Sequence, residues 1–284
     1  MKILQFTLTL LTSTILFTSC FNEGSLVCTR PNGESSRMEY PVENFDQIEL
    51  QMAADVVVIQ GDEFKVEADA AENIHNILVA NVTGNELTLR TERGRCIRGR
   101  SEVTFYVTCP DVEAITLSGS GNITNQGVFN GQNLELRISG SGNINLQEFD
   151  TEDLMVSVSG SGDLELDDFN ASNVELKTSG SGKIEFENAV LSQVDASITG
   201  SGKVNLKGQN ASYCNINISG SGKVEAFEMP FDMADVKIGG SGNAQLYINN
   251  ELNANITGSG DVYYMGSPSV NANITGSGKV QKQN

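Results

Sequence analysis

From residue 118 onward the chain alternates between apolar and polar residues in short runs that recur at near-constant spacing. An alternation of period two is typical of a β-strand with one buried and one solvated face. The longer run has three apolar positions per copy: Leu134, Leu136, Ile138; Leu154, Val156, Val158; Val174, Leu176, Thr178; Val194, Ala196, Ile198; Cys214, Ile216, Ile218; Ala234, Val236, Ile238; Leu252, Ala254, Ile256; Val270, Ala272, Ile274. A shorter run follows, beginning at Ile123, Ile144, Leu164, Ile184, Val204, Val224, Ala244, Val262 and Val280. Each copy is therefore predicted to hold a strand, a corner, a second strand and a loop.

The corner between the two strands is the triplet Gly-Ser-Gly. It begins at residues 119, 140, 160, 180, 200, 220, 240, 258 and 276, at intervals of 21, then 20 five times, then 18 twice. A unit of this length cannot bury its own apolar face, but coils stacked about 4.8 Å apart place equivalent residues in continuous inner columns. We therefore predict an all-β fold, a parallel β-helix with coils of about 20 residues, over residues 118–284. Parallel crossovers are nearly always right-handed, so we expect right-handed winding.

The glycines of the triplets are predicted to be scaffold. A sharp corner needs either a positive φ or a very close approach of the neighbouring coil, and glycine permits both. The middle serine is free to bond locally or to its copy one coil away. The predicted structural corners are Gly119, Gly121, Gly140, Gly142, Gly160, Gly162, Gly180, Gly182, Gly200, Gly202, Gly220 and Gly222.

Residues 1–19 have the features of an export signal. One lysine precedes an apolar stretch that is diluted by Thr and Ser and is short for a membrane-spanning helix, which favours a secretory signal peptide. The sequence Phe17-Thr18-Ser19-Cys20 resembles a bacterial lipoprotein processing box, with Phe17 in place of the usual Leu. We therefore expect acylation of Cys20, a lipidated tether over residues 20–37 and anchoring to the cell envelope at the outer membrane. A plain secreted protein is the alternative.

The composition narrows the chemistry. The chain has 18 basic and 36 acidic residues and a formal net charge of −18. This charge argues against nucleic acid as a partner, because phosphate binding needs clustered Lys and Arg. A single histidine, His75, leaves little for a His-based triad or a multi-histidine metal site. No CxxC spacing occurs either, and we expect neither a metal nor a cofactor.

Residues 38–117 lack the repeat. They are predicted to form the N-terminal cap and the first irregular coils, because solenoid ends expose strand edges that need covering. Gly61-Asp62-Glu63 predicts a hairpin of residues 56–60 and 64–68. The other predicted elements are strands at 87–91 and 103–108 and a helical turn at 70–78.

An arginine-rich loop separates the last two of these strands. Cys96 and Cys109 flank a predicted hairpin and are candidates for a disulfide, with Cys28 free or in competition; free thiols are the alternative. Guanidinium groups match the oxygens of carboxylates and sulfates, so the loop is a candidate site for anionic glycans or lipid head groups. A solvated tip paired with nearby acids is the alternative. The candidate anion-binding residues are Arg93, Arg95, Arg98 and Arg100.

The units GSGNI, GSGDL and GSGKV resemble a bacterial family, as do the segments FDQIELQMAADVVVIQGDEFKVEADAAENI and VTFYVTCPDVEAITLSGSGNI. The family is that of auto-transporter adhesins with a head GIN domain, and the resemblance covers about residues 40–284. It implies a β-helical body, export as a lipoprotein and adhesion. It brings no catalytic or ligand-binding residues with it.

Acidic pairs are the remaining candidates for catalysis. Asp167-Asp168 and Glu185/Glu187 are the nearest to the two carboxylates of a glycosidase, and neither pair recurs in adjacent coils. We therefore predict an exported, non-catalytic, adhesin-like module that binds a glycan or protein ligand. The alternatives are a polysaccharide-degrading β-helix enzyme and a purely structural envelope component. The C-terminal GSGKVQKQN has no recognisable cap, which predicts a homo-oligomer formed through the last coil.

Overall fold

A computed structural model describes residues 26–99 and 102–283. The predicted signal peptide, Cys20 and Arg100 lie outside the described residues. The helix α1 spans Glu72–His75. The strands are β1 Val27–Thr29, β2 Ser35–Tyr40, β3 Gln47–Leu50, β4 Asp55–Gln60, β5 Lys65–Ala71, β6 Leu78–Thr83, β7 Glu86–Thr91, β8 Arg95–Ile97, β9 Thr104–Cys109, β10 Ala114–Leu117, β11 Asn122–Gln126, β12 Phe129–Asn130, β13 Asn133–Ile138, β14 Asn143–Val158, β15 Asp163–Thr178, β16 Lys183–Ile198, β17 Lys203–Gly208, β18 Ala211–Ile218, β19 Lys223–Gly240, β20 Asn243–Gly258, β21 Asp261–Gly266, β22 Ser269–Gly276 and β23 Val280–Lys282.

Strands of successive coils pair in parallel and in register. Ile144 lies beside Leu164, and equivalent residues continue in line from coil to coil. The inner residues of these columns are buried, because each coil covers the apolar face of the one before it. The protein is a parallel β-solenoid of about eight turns with coils about 20 residues apart, which confirms the predicted fold. The direction of winding stays a prediction.

Each full-length coil has three sides, where the sequence pattern predicted two strands and a loop. In β14 the alternation of buried and exposed residues is interrupted twice, because two outward-facing residues stand together at 147–148 and again at 152–153. These interruptions are the corners, and the backbone turns at Glu148 with a φ of 53°. The segment predicted as a loop is thus a short second side, which buries Phe149 against Phe169 with ring centroids 4.7 Å apart.

Close approach of neighbouring coils explains the glycine triplets. A Cβ atom placed on Gly160 would lie 2.0 Å from the carbonyl oxygen of Gly140 in the preceding coil. Every triplet glycine would bring a Cβ within 3.0 Å of the preceding coil, and only Gly258 and Gly276, in the shortened coils, also have a positive φ. The serine backbone completes the contact, because Ser161 N–H donates to the Gly140 carbonyl at 3.2 Å.

The N-terminal region places its coils out of chain order. Strand β3 lies between β7 and β10, and β4 lies between β9 and β11. The coil of β7 and β9 is therefore outermost, although it follows β3 and β4 in the chain. The predicted strands at 87–91 and 103–108 correspond to β7 and β9. The hairpin predicted for 56–60 and 64–68 is wrong, because β9 lies between β4 and β5.

Antiparallel strands cover the outermost coil. On one side β5 pairs with β9 and β2 pairs with β5, and on the other β6 pairs with β7. Helix α1 joins β5 to β6 and buries Ile74 and His75. We call β2, β5, α1 and β6 the N-terminal cap.

The disulfide joins Cys28 to Cys96, so the predicted pairing of Cys96 with Cys109 is wrong. Strand β8 pairs in parallel with β1, which places Cys96 directly opposite Cys28 with Cα atoms 4.4 Å apart. Cys109 ends β9 with its side chain in the core, and burial raises the pKa of its thiol to about 12. Since β1 and the start of β2 belong to the fold, the structured part begins inside the segment predicted as a tether, residues 20–37.

The C-terminal end has no comparable cover among the described elements. Strand β22 pairs with β20 alone, and its whole length is exposed. Ile274 is 40% exposed, whereas Ile256, its neighbour in the same column, is 1% exposed. The core columns therefore run out into solvent at this end.

Candidate functional site

A long groove follows the third side of the solenoid, parallel to its axis. Two columns of outward-facing side chains border it, and the inner residues of the same strands lie between them. We call this depression, with a volume of about 640 Å³, the long groove. It is lined by Gln47, Glu113, Ala114, Asn133, Leu134, Glu135, Asp153, Leu154, Met155, Asn173, Val174, Glu175, Gln193, Val194, Asp195, Tyr213 and Asn215.

Hydrogen bonds between successive coils hold the polar side chains of the groove in place. Asn173 Nδ2 donates to Asp153 Oδ1 at 2.7 Å, and Asn215 Nδ2 donates to Asp195 Oδ2 at 3.1 Å. These pairs occupy equivalent positions one coil apart, so the register of the strands brings them together. The polar side chains that border the groove are therefore held in fixed positions by the fold itself.

One end of the groove carries an aromatic ring. The hydroxyl of Tyr213 donates to Asp235 Oδ2 at 2.6 Å, and this hydrogen bond, with partial burial, raises the pKa of Tyr213 to about 12. The phenol is therefore neutral at physiological pH. Its ring offers an apolar face beside the polar columns.

Among the described residues, five carboxylates and no lysine or arginine line the groove. Two of them pair with cations at the rim: Glu135 with Arg137, and Glu175 with Lys177 at 2.5 Å. Such a surface accepts hydrogen bonds from hydroxyl or amine groups and repels anions. Over the described residues, no group of three or more His, Cys, Asp or Glu side chains is arranged to hold a metal ion.

The arginine-rich region lies at the N-terminal end, away from the long groove. Arg93 and Arg98 are exposed, and Arg95 Nε lies 3.9 Å from Glu92 Oε2. The pairing of β1 with β8 brings in Arg30, because Arg30 and Arg98 directly follow the paired residues of these strands. Arg30 is not among the arginines predicted from the sequence, and only a predicted Cys28–Cys96 disulfide could have placed it beside them. We call Arg30, Arg93, Arg95 and Arg98 the arginine loop.

Three of the four acidic residues considered for catalysis, Asp167, Glu185 and Glu187, are engaged in contacts between coils. Glu187 pairs with Lys207, and Asp167 accepts a hydrogen bond from Asn188 Nδ2 at 2.9 Å. Glu185 pairs with Lys183 and accepts from Asn205 Nδ2 at 2.8 Å, and these partners hold the pKa of its carboxyl below the usual range. The structure thus gives these carboxylates a role in joining neighbouring coils.

The histidine and the free thiols are internal. His75 in the N-terminal cap has Nδ1 3.2 Å from the Tyr40 hydroxyl and Nε2 2.9 Å from the Ser36 carbonyl oxygen. Cys214 is buried in a core column, and desolvation raises the pKa of its thiol far above the usual value. These contacts make His75 part of the cap and leave Cys214 a poor nucleophile.

A family model described as putative auto-transporter adhesin, head GIN domain, matches residues 44–207 and 156–268. The two matches together span most of the chain. The chain belongs to this family. The name of the family refers to adhesion. No curated protein matches the chain.

Solved structures of similar proteins share the fold. A putative lipid binding protein from Parabacteroides distasonis is 24% identical, with a TM-score of 0.68 over 90% of this chain and 99% of that one. A putative adhesin from Parabacteroides merdae is 20% identical, with a TM-score of 0.69 over 91% of this chain and 100% of that one. These similarities show a common solenoid. Within the described part of the chain, no helix has the length and apolarity needed to span a membrane.

Proposed function

We propose that this member of the adhesin family is an exported, lipid-anchored, non-catalytic binding module whose long groove holds an extended glycan. The observation that carries the proposal is the regular repetition of carboxylate and amide side chains along the groove. Seven stacked strands, from Gln47 to Asn215, contribute to it over a length of about 29 Å. A rigid, repetitive surface suits a repetitive ligand.

The spacing of the coils favours a glycan over a peptide. Most coils present polar side chains in both columns, about 4.8 Å from those of the next coil, and the apolar Met155 is an exception. An extended peptide advances only about 3.3 Å per residue and falls out of step with this spacing within a few residues. A pyranose ring in an extended chain has a length close to the coil spacing, so successive sugars lie beside successive coils. Carboxylates and amides bind its hydroxyl groups, and Tyr213 offers a ring on which a sugar face can stack.

The charge of the groove favours neutral sugars or amino sugars over acidic ones. Its carboxylates would repel uronic acids and sulfates, because the rim cations Arg137 and Lys177 pair with only two of the five. The same carboxylates suit binding better than hydrolysis, because a glycosidase keeps one carboxyl protonated in apolar surroundings. Asp153 instead accepts from Asn173, and Glu135 pairs with Arg137.

The proposed export and anchoring through Cys20 are supported by the signal-like residues 1–19 and agree with a family named for adhesion. Acyl chains on Cys20 would retain the protein at the envelope, since each buried methylene stabilises insertion by about 0.8 kcal/mol. A Cys20→Ala variant should lose incorporation of labelled fatty acid and leave the membrane fraction. Retention of the label by this variant would contradict the anchor. Protease accessibility on intact cells reports which side of the membrane the module faces.

The open C-terminal coil is the surface that we propose for self-association. A second copy related by a two-fold axis presents the same row of Val270, Ala272 and Ile274, and two identical edges of β22 can pair in antiparallel fashion. Each copy would then cover the exposed end of the other. Sedimentation of the wild type should show a dimer at high concentration, and Ile274→Lys should abolish it; a wild type that stays monomeric would contradict this proposal.

A glycan array with the purified chain tests the groove. We expect binding to extended neutral or amino-sugar glycans and its loss in Asp153→Lys, which places a cation in the groove. Glu165→Lys is the matched control, because it makes the same charge change on the first side, where residue 165 is also exposed. If the chain binds no glycan on the array, the proposed glycan ligand is wrong and a purely structural role is favoured. Equal loss in both variants would contradict the assignment to the groove, and release of reducing ends would show an enzyme.

A further inference from the structure

Within the described residues, three of the four arginines of the arginine loop form no ion pair, and they lie at one end of an acidic protein. Along the solenoid, cations such as Lys183, Lys203 and Lys207 pair with carboxylates of their own or a neighbouring coil. In the part of the chain that the structure describes, Arg30, Arg93 and Arg98 form no ion pair with a carboxylate. Glu92 is the acid that contacts the loop, through Arg95. The loop is therefore a cationic patch whose charges remain available.

The disulfide holds this patch close to the predicted lipid. Cys28 is bonded to Cys96, which lies between Arg95 and Arg98 in the chain. Seven residues lie between Cys20 and Cys28, and the eight steps of a fully extended chain between them reach about 28 Å. A tether that ran to residue 37 would have allowed more than twice this distance. The arginine loop is thus confined to the immediate neighbourhood of whatever holds Cys20.

We infer that the arginine loop binds the phosphate groups of anionic membrane lipids and thereby stands the solenoid on its N-terminal end. Guanidinium groups bind phosphate oxygens in a bidentate manner, and the surface potential of an anionic membrane attracts each of them. The acidic body is repelled by the same surface, so the field turns the cationic end toward the membrane and the rest away from it. This orientation would present the long groove and the C-terminal coil to the surroundings. Its geometry rests on the lipid anchor proposed above, whereas the affinity of the loop for phosphate does not.

Vesicle binding tests the affinity separately from the anchor. The chain from Phe21 onward keeps every described residue, and its cosedimentation is compared on vesicles of phosphatidylcholine alone and of equal parts phosphatidylcholine and phosphatidylglycerol. We expect binding to the anionic vesicles only, weakened by added salt. Each arginine near such a surface strengthens binding about fivefold, so Arg93→Ala with Arg98→Ala should weaken it about 25-fold.

Lys279→Ala with Lys282→Ala is the matched control, because it removes the same charge from the last coil, at the opposite end of the solenoid. This variant should bind anionic vesicles as the wild type does. Equal weakening by both double variants would mean that net charge alone governs binding and would overturn the inference. Equal binding to both kinds of vesicle would overturn it as well. Thermal unfolding of each variant checks that these exposed substitutions leave the fold intact.

Two further arms separate this inference from its neighbours. The Asp153→Lys variant changes the long groove and leaves the arginine loop intact, so it should bind anionic vesicles at least as well as the wild type. A negative glycan array therefore contradicts the proposed function of the groove without contradicting lipid binding by the loop. Heparin serves as a soluble anionic glycan: if the arginine variants lose heparin binding while vesicle binding is unchanged, the loop is a glycan site and the lipid assignment is wrong.

Discussion

The two ends of the solenoid differ in how far they bury the last residues of the core columns. At the N-terminal end the outermost inner residues, such as Leu87 and Phe105, are fully buried under the antiparallel strands and α1 of the cap. At the C-terminal end Ile274 is 40% exposed, although it ends the same column that begins at the fully buried Leu89, and Val270 on the same strand is 38% exposed. The difference shows that burial in this fold is supplied by the neighbouring coil and not by the coil itself, so a residue's contribution to stability depends on its place in the stack.

The largest expected effect comes from adding one methyl group to a triplet glycine. A Cβ on Gly162 would lie 2.0 Å from the Gly142 carbonyl oxygen, and a Cβ on Gly278 would lie 2.2 Å from the Gly260 carbonyl oxygen. Coils on both sides hold Gly162 in place, whereas the last coil can move away. We expect Gly162→Ala to lower the free energy of unfolding by about 3 kcal/mol or more and Gly278→Ala by about 1 kcal/mol or less. Denaturant titration measures both, and similar losses would contradict the difference between the two ends.

Truncation of one core column gives a second matched pair. Ile256 and Ile274 are neighbours in the same column, one buried and one 40% exposed. Ile256→Ala should cost about 2–5 kcal/mol, because it removes buried methyl groups and leaves a cavity. Ile274→Ala should cost about 1 kcal/mol or less in the monomer, since part of its surface is already in water. A large loss for Ile274→Ala in dilute monomer would show that some other element covers this end.

Removal of the disulfide probes the N-terminal end. The bond closes a separation of 68 residues, so Cys28→Ala with Cys96→Ala should lower the free energy of unfolding by about 2–4 kcal/mol. Reducing agent should reproduce the loss in the wild type and have no effect on the double variant. Thermal unfolding with and without reductant measures this. Peptide mapping that finds Cys96 bonded to Cys109 would contradict the pairing, and so would a double variant as stable as the oxidised wild type.

Lowering the pH should destabilise the N-terminal cap by protonating Asp69, and we expect this to be the smallest of the predicted effects. The side-chain hydrogen bond from Arg37 holds the pKa of Asp69 below its ordinary value, so the unfolded chain binds its proton first as the pH falls. The stabilisation is therefore complete at neutral pH and is lost as the pH falls through the ordinary carboxyl range and below. Hydrogen exchange of β2 against pH measures the loss, and Asp69→Asn should remove it.

Glu225 supplies the control for this titration in the body of the solenoid. Lys203 and Lys223 lower the pKa of its carboxyl in the same way, but the pairs lie on the outside of coils held from both sides. Glu225→Gln should change stability by about 1 kcal/mol at most and leave the exchange of β2 unchanged. Acid-induced exchange that begins near Glu225 rather than in β2 would contradict the view that the cap responds first.

The repeated part of the fold could be predicted from the sequence because its contacts are between equivalent positions. Leu154, Val156 and Val158 each lie beside the residue at the equivalent position of the next unit. The alternation of period two therefore predicts the strand, and the repeat of about 20 residues predicts which strand pairs with it. The triplet glycines are predictable for the same reason. Whether these glycines are required by a positive φ or by close approach of the next coil could not be predicted, because that depends on the distance between two backbones, as at Gly160.

The long groove could not be predicted from the sequence. Asn173 and Gln193 are ordinary outward-facing residues in the pattern, and the depression they border exists only because the corners at 147–148 and 152–153 fold each coil into three sides. Likewise Arg30 joins the other arginines only through the pairing of β1 with β8.

Which side chains of the repeats face inward, and that successive units stack, can be read from the amino-acid order alone, since alternation and repetition are local properties that each unit carries. The arrangement of the unrepeated N-terminal residues emerges only in the folded chain, where β9 lies between β4 and β5 and Cys28 rather than Cys109 lies opposite Cys96. The physical reason is that strand edges and thiols are alike in their local chemistry. Their partners are selected by which edges remain free once the core has closed, and that depends on the whole chain.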